Sequence, residues 1–157
     1  MAFQGIQATK SYQQINNATP DEIFPLLCPV REKDWIDGWD YTMIFSKSGL
    51  VEKGCVFSTP HHGKEPTIWY VTQHDPEHYK VEFVRITPKE EVVRIYIVLE
   101  DNHNGSTTAN ITYEYTGLND SKNKWIATEL DKAFEKTMKG WEKAINHYLE
   151  YGEKLFE

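Results

Sequence analysis

The sequence predicts an α+β fold: a seven-stranded, curved antiparallel sheet wrapped around one long C-terminal helix, with two short helices between strands 1 and 2. Three observations predict it. Short segments of strand character, separated by turn residues, follow one another from Asp40 to Thr116. The apolar period then changes to a helical one and holds to about Tyr151. One isolated strand signal and a proline-interrupted helical stretch precede the train of strands.

The elements follow in order. Gly5 to Gln14 is mildly strand-like, and Asn16-Asn17 breaks it. Thr19-Pro20-Asp21-Glu22 then reads as a helix start, with Thr19 as N-cap, Pro20 at the first helical position and Glu22 completing a capping box. Pro25 and Pro29 keep that helix short. Arg31 to Trp35 makes a further turn or two, which Gly38 ends.

Strands are expected at Asp40 to Ser46, Cys55 to Thr59, Thr67 to His74, Tyr79 to Thr87, Glu91 to Glu100 and Thr107 to Thr116. Asp75-Pro76-Glu77 and Pro88-Lys89 are turns, and Asn104-Gly105 is the strongest hairpin signal. In the last strand Ala109, Ile111, Tyr113 and Tyr115 share one face. From Ser121 or Asn123 to Tyr151 a single helix of about 30 residues, some 45 Å long, is expected. Its stripe is Leu130, Phe134, Met138, Trp141, Ile145, Tyr148 and Leu149.

The 157 residues fit a single domain, 1–157, able to bury a sizeable core. A formal net charge of −7 and no basic stripe argue against nucleic acid as a partner. No apolar leader opens the chain and no membrane span occurs, so a cytoplasmic protein is expected. Cys28 and Cys55 show no metal-binding spacing and read as reduced thiols. The oligomeric state is not readable.

The element order, the Thr19-Pro20-Asp21-Glu22-Ile23-Phe24 helix start and the Leu26 to Trp39 connector carry a resemblance. So do Tyr113-Glu114-Tyr115-Thr116-Gly117-Leu118 and the Trp141 to Leu149 helix with Gly152 after it. The chain resembles the START, polyketide-cyclase and pollen-allergen (SRPBCC) superfamily of helix-grip folds, and is similar to its small, stand-alone prokaryotic members. The resemblance implies a cavity between sheet and helix that holds a lipid, sterol, polyketide or aromatic hormone. It also implies that Trp35 and Trp39 turn inward, one under the long helix and one near the cavity. An indole suits that border, because its body is apolar and its N–H needs a partner.

The candidate ligand-binding residues are Trp39, Tyr41, Met43, Phe45, Trp69, Phe83, Arg85, Tyr113, Tyr115, Phe134, Met138 and Trp141. Aromatic and methionine side chains suit a flat, apolar ligand, and a packed core would use the same residues. Arg85 shares a face with Tyr79, Val81 and Phe83; if inward, it needs an acidic partner. Outward pairing with Glu82 or Glu114 is the simpler reading for Arg85, and more so for Arg94. Val93, Ile95, Ile97 and Leu99 are expected inward.

His61-His62 and His74/His78 lie at opposite ends of one strand, so no metal site is expected. No nucleophile or phosphate-loop motif occurs, no cofactor is implied, and no inward Asp, Glu or His stands out. Three functions stay open. The first is binding or transport of a small apolar, aromatic or lipid-like ligand in an internal cavity. The others are a cyclase- or dehydratase-type enzyme and a ligand-free, co-chaperone-like interaction module.

Overall fold

The structure is a computed structural model that describes residues 2–156. Its sheet is built from β1 (Gln7–Asn16), β2 (Thr42–Phe45), β3 (Val56–His61), β4 (Lys64–Asp75), β5 (Lys80–Thr87), β6 (Glu91–Asp101) and β7 (Thr107–Gly117). The seven strands lie in the order β1-β7-β6-β5-β4-β3-β2, every neighbour antiparallel. Two short helices, α1 (Pro20–Ile23) and α2 (Pro29–Trp35), join β1 to β2, and α3 (Asp120–Thr128) and α4 (Leu130–Tyr151) end the chain. This is the expected architecture.

Period-two alternation decides which residues enter the core. In β7 buried and half-buried residues alternate strictly from Thr107 to Gly117, with Ala109, Ile111, Tyr113 and Tyr115 inward. Opposite them β6 buries Val93, Ile95, Ile97 and Leu99. The registers then line up rows across the sheet: Phe57 faces Trp69, Trp69 faces Arg85, Arg85 faces Val93, and Val93 faces Tyr115. The neighbouring row runs Val71, Phe83, Ile95, Tyr113. Helix α4 lays Leu130, Phe134, Met138 and Ile145 against these rows.

The one long helix of the sequence reading is two. At Glu129 (φ −115°, ψ −20°) the helix breaks. The Thr128 hydroxyl donates to the Lys124 carbonyl at 2.8 Å, a back-bond that competes with the helical ladder. Asn119 caps α3, accepting from the Lys122 N–H at 2.7 Å. Gly152, at φ +71°, takes the left-handed conformation that closes α4. The capping box of α1 does not form either: the Thr19 hydroxyl donates to the Glu22 carboxylate at 3.1 Å instead of accepting a backbone N–H.

The two sheet edges are handled differently. Edge strand β1 leaves backbone groups unpaired, and α4 answers them with an i,i+4 pair. Glu142 accepts from the Ile15 N–H and the Tyr12 hydroxyl, both at 2.7 Å. Asn146 donates to the Ile15 carbonyl at 2.9 Å and accepts from the Asn17 N–H at 3.0 Å. At the other edge β2 is four residues long and largely exposed. Its register shifts between Met43 and Phe45. The shift sets Phe45 opposite Val56 rather than on the inward face of Phe57. Phe45 is therefore 53% exposed, and the expectation that it lines the interior is wrong.

Candidate functional site

Between the sheet, α2 and α4 the interior is nearly full. The space left there is about 10 Å³, room for roughly one water molecule. Leu27 and Glu32 bound it on one side, Phe57, Trp69 and Phe83 of the sheet on another, and Trp141 of α4 on a third. The open internal cavity expected from the resemblance is absent from this arrangement of side chains.

Glu32 is the residue the sequence reading missed. It lies in Arg31-Glu32-Lys33-Asp34, a run whose mixed charge reads as solvated surface. Yet α2 starts at Pro29, and on a helix Glu32 sits three residues before Trp35 on the same face. Trp35 is fully buried, its N–H donating to the Leu26 carbonyl at 3.0 Å and its ring edge-on to Trp141 at 5.8 Å. The helix that plugs Trp35 into the core therefore carries Glu32 in with it. Only 8% of Glu32 is exposed, and its carboxyl has no ion-pair or hydrogen-bond partner among the described residues. Burial alone pushes its pKa up to about 8.

Arg85, whose direction the sequence left open, faces inward: its guanidinium donates to the Glu91 carboxylate at 2.8 Å and lies 5.7 Å from the Trp69 ring and 6.0 Å from the Tyr115 ring. Lys122 of α3 holds the other Glu91 oxygen at 3.2 Å. Glu91 itself is 6% exposed, so it and Glu32 are both inward acids, where none had stood out. Arg94 does face out, 3.9 Å from Glu82, as expected.

Tyr113 joins the two carboxyl regions. Burial raises its pKa, and its hydroxyl feels Arg85, which lowers it, and Glu32, which raises it. Tyr115 is raised by burial as well, against the opposing pull of Arg85. A proton donor and a guanidinium thus sit within electrostatic reach of the buried carboxyl's surroundings.

The other candidates fall into groups. Trp69, Phe83 and Trp141 border the residual space. Trp39 is half-buried, edge-on to Trp69 at 6.2 Å, with its N–H on the Pro29 carbonyl at 2.9 Å. The two indoles of the connector thus divide the work: Trp35 plugs the core and Trp39 stands beside the site. Phe134 packs edge-on to Tyr113 at 5.3 Å, and Met138 is fully buried, so both act in packing. Tyr41 and Met43 are partly buried at the β2 side, Met43 beside Cys55 at 3.6 Å.

Outside the core, a groove of about 470 Å³ runs between the end of α2 and α4. Ile36, Ala133, Gly140, Ala144 and Leu155 line it, with Asp37 and Lys136 among its polar groups. Trp141 lines both this groove and the residual interior space.

No protein-family model and no curated protein matches the sequence. Solved structures do. A hypothetical protein, jhp0584, from Helicobacter pylori superposes with a TM-score of 0.73 at 12% identity, covering 90% of this chain and 87% of that one. Norcoclaurine synthase from Thalictrum flavum, in complex with dopamine and hydroxybenzaldehyde, gives 0.68 at 14% identity, over 94% and 90%. Ara h 8.0201 gives 0.64 at 14% identity, over 91% and 97%. At such identities the likeness establishes the fold alone. No helix among the described residues is long and apolar enough to cross a membrane. The chain thus has a helix-grip fold, like that of Ara h 8.0201 and norcoclaurine synthase.

Proposed function

We propose that this protein binds a small apolar or aromatic ligand between the sheet and α4, reached from the outer groove when Trp141 moves. One observation carries the reading: a buried carboxyl, Glu32, faces aromatic rings and has no partner among the described residues. An ionisable group in such a place costs stability, and perturbed groups of this kind cluster at functional sites. The 10 Å³ inside is far short of a ligand, but the 470 Å³ outside is of the right size. Moving one indole joins the two. Norcoclaurine synthase, of the same fold, has been solved with two small aromatic compounds bound.

Catalysis of cyclase or dehydratase type is a second reading, favoured by Glu32 and Arg85 both acting electrostatically on Tyr113. Glu32 would serve as the acid and Tyr113 or Arg85 would steady a developing enolate. The nearly filled interior favours a third, the ligand-free interaction module.

Extraction of natively purified protein followed by mass spectrometry separates these readings. A specific co-purified small molecule, or a dye displaced by one, with a change in tryptophan fluorescence, is expected. Finding neither, with Trp141→Ala also failing to bind dye, would leave the interaction module in place.

A further inference from the structure

Glu32 poses a narrower question than the cavity does: what kind of group completes it? The chain already contains one answer to the same problem. Arg85 is a cation held among aromatic rings, over Trp69 and beside Tyr115, and it is neutralised by the buried carboxylate of Glu91. Glu32 stands in the same kind of surroundings, with Phe57, Trp69 and Trp141 around its carboxyl, and it lacks the cation. Among the described residues no side chain supplies one, since Arg85 and Lys122 are both engaged by Glu91. Arg31 is drawn to Asp34 at 3.0 Å, and Lys33 lies 3.8 Å from Asp40, both outside the core.

We infer that the ligand carries a protonated amino group, which passes Trp141 and forms an ion pair with Glu32 inside the aromatic walls. The inference rests on the ligand-binding reading above and names the class of ligand. Aromatic rings such as those that line the space with Glu32 attract a cation over their faces. The carboxylate supplies the full countercharge and a short, charge-assisted hydrogen bond. The apolar body of the ligand stays in the groove beside Ala133, Gly140 and Ala144, where small side chains leave space along α4.

The protonation balance gives the inference its sign. Other groups face Glu32 from several elements. Tyr113 of β7 lies within its field, Arg85 of β5 acts on the same Tyr113 and is paired with Glu91, and β3, β4 and α4 present Phe57, Trp69 and Trp141. Glu32 therefore holds its proton at neutral pH, with its pKa at about 8. A protonated amine binds the carboxylate, so binding expels that proton to solvent. A ligand with a carbonyl oxygen instead accepts a hydrogen bond from the protonated carboxyl and expels none. The two cases respond to pH with opposite sign.

Calorimetric titration of the full chain with phenylpropylamine, benzylacetone and hydrocinnamic acid tests this. The three share a body and differ in the head group. Amine affinity is expected to rise about tenfold per pH unit from pH 6 to 7.5, with close to one proton released into the buffer. Glu32→Gln is expected to weaken the amine at least tenfold and to leave benzylacetone nearly unchanged. Should the variant fail to fold, the pH slope and proton release of the native chain decide alone. Binding of the ketone or acid in preference to the amine, or amine binding without proton release, overturns the amine assignment while the ligand-binding reading stands. Binding of none of the three at millimolar concentration overturns both.

Discussion

Two glutamates are buried in this interior to almost the same degree, Glu32 at 8% exposure and Glu91 at 6%, and the protein treats them in opposite ways. Glu91 opens β6 and meets Arg85 at 2.8 Å and Lys122 at 3.2 Å. It ties β5, β6 and α3 together. Glu32 sits on α2 and shares its pocket with apolar and aromatic side chains alone. A carboxylate that anchors architecture is surrounded by the cations that neutralise it. One left without them, in a fold this well packed, is held at a cost in stability that some other benefit must offset.

Removing the Glu91 charge is expected to have the largest effect. Glu91→Gln keeps the shape but leaves Arg85 and Lys122 as neighbouring, partly buried cations that have lost the countercharge of Glu91. A loss of about 3–4 kcal/mol at neutral pH is expected from urea unfolding. A loss below about 1 kcal/mol would show that solvent screens the triad and that the contrast with Glu32 is smaller than the geometry indicates.

The second effect has the opposite direction. The folded-state pKa of Glu32 is about 8, and the unfolded value is near 4.3. Between those values the folded chain keeps a proton that the unfolded chain releases. Stability from this group is therefore full below about pH 4.3 and is lost as pH rises through about 8. Glu32→Gln lacks that slope. The variant is expected to match the native chain near pH 4.5 and to exceed it by roughly 2–3 kcal/mol at pH 8.5, about half of the ~5 kcal/mol that the full separation of the two values would give, because relaxation and water entry soften the cost of a buried carboxylate. Thermal melts across that range measure it. A variant no more stable than the native chain at high pH would mean that Glu32 has found a partner and is not the strained group described above.

These two residues also mark where the sequence could be read and where it could not. The strand train, the inward Tyr113 and Tyr115 and the α4 stripe were legible because each follows one period over many residues. Glu32 was hidden because its neighbours Arg31, Lys33 and Asp34 are solvated, and charge masked the helical phase set by Trp35. Counting three back from Trp35 would have found it. The direction of Arg85 stayed open because its partner, Glu91, lies six residues on, across a hairpin whose register the sequence does not settle. Phe45 was misplaced by a bulge that local alternation does not announce. That the interior is nearly filled depends on how the side chains around Glu32 and Trp141 pack, and no sequence pattern records that.

A third glutamate lies between the extremes. Glu142 is half-buried and answered by neutral donors, the Tyr12 hydroxyl and the Ile15 N–H. Glu142→Ala strands both groups at the edge of β1, and a loss of about 1–2 kcal/mol is expected. Hydrogen exchange at Ile15 should accelerate by a similar factor in free energy. Unchanged exchange there would mean that the strand edge is protected by packing of α4 and not by its carboxylate.

The smallest effect belongs to the pair that the sequence alone identified. Arg94 and Glu82 face solvent on adjacent strands, 3.9 Å apart, with 53% of the Arg94 side chain exposed. Glu82 has a nearer partner in the Thr72 hydroxyl at 2.7 Å, so loss of Arg94 does not leave it alone. Water and salt screen such a pair, and Arg94→Gln is expected to cost under about 0.5 kcal/mol. A double-mutant cycle with Glu82→Gln should give a coupling near zero at 0.5 M salt. The adjacent residue pair across the same two strands, Arg85 and Val93, faces the other way, and one of its members carries the triad. A coupling at Arg94 as large as the one at Arg85 would show that burial is not what separates the two arginines. The comparison of Glu32 with Glu91, which assumes that it is, would then lose its footing.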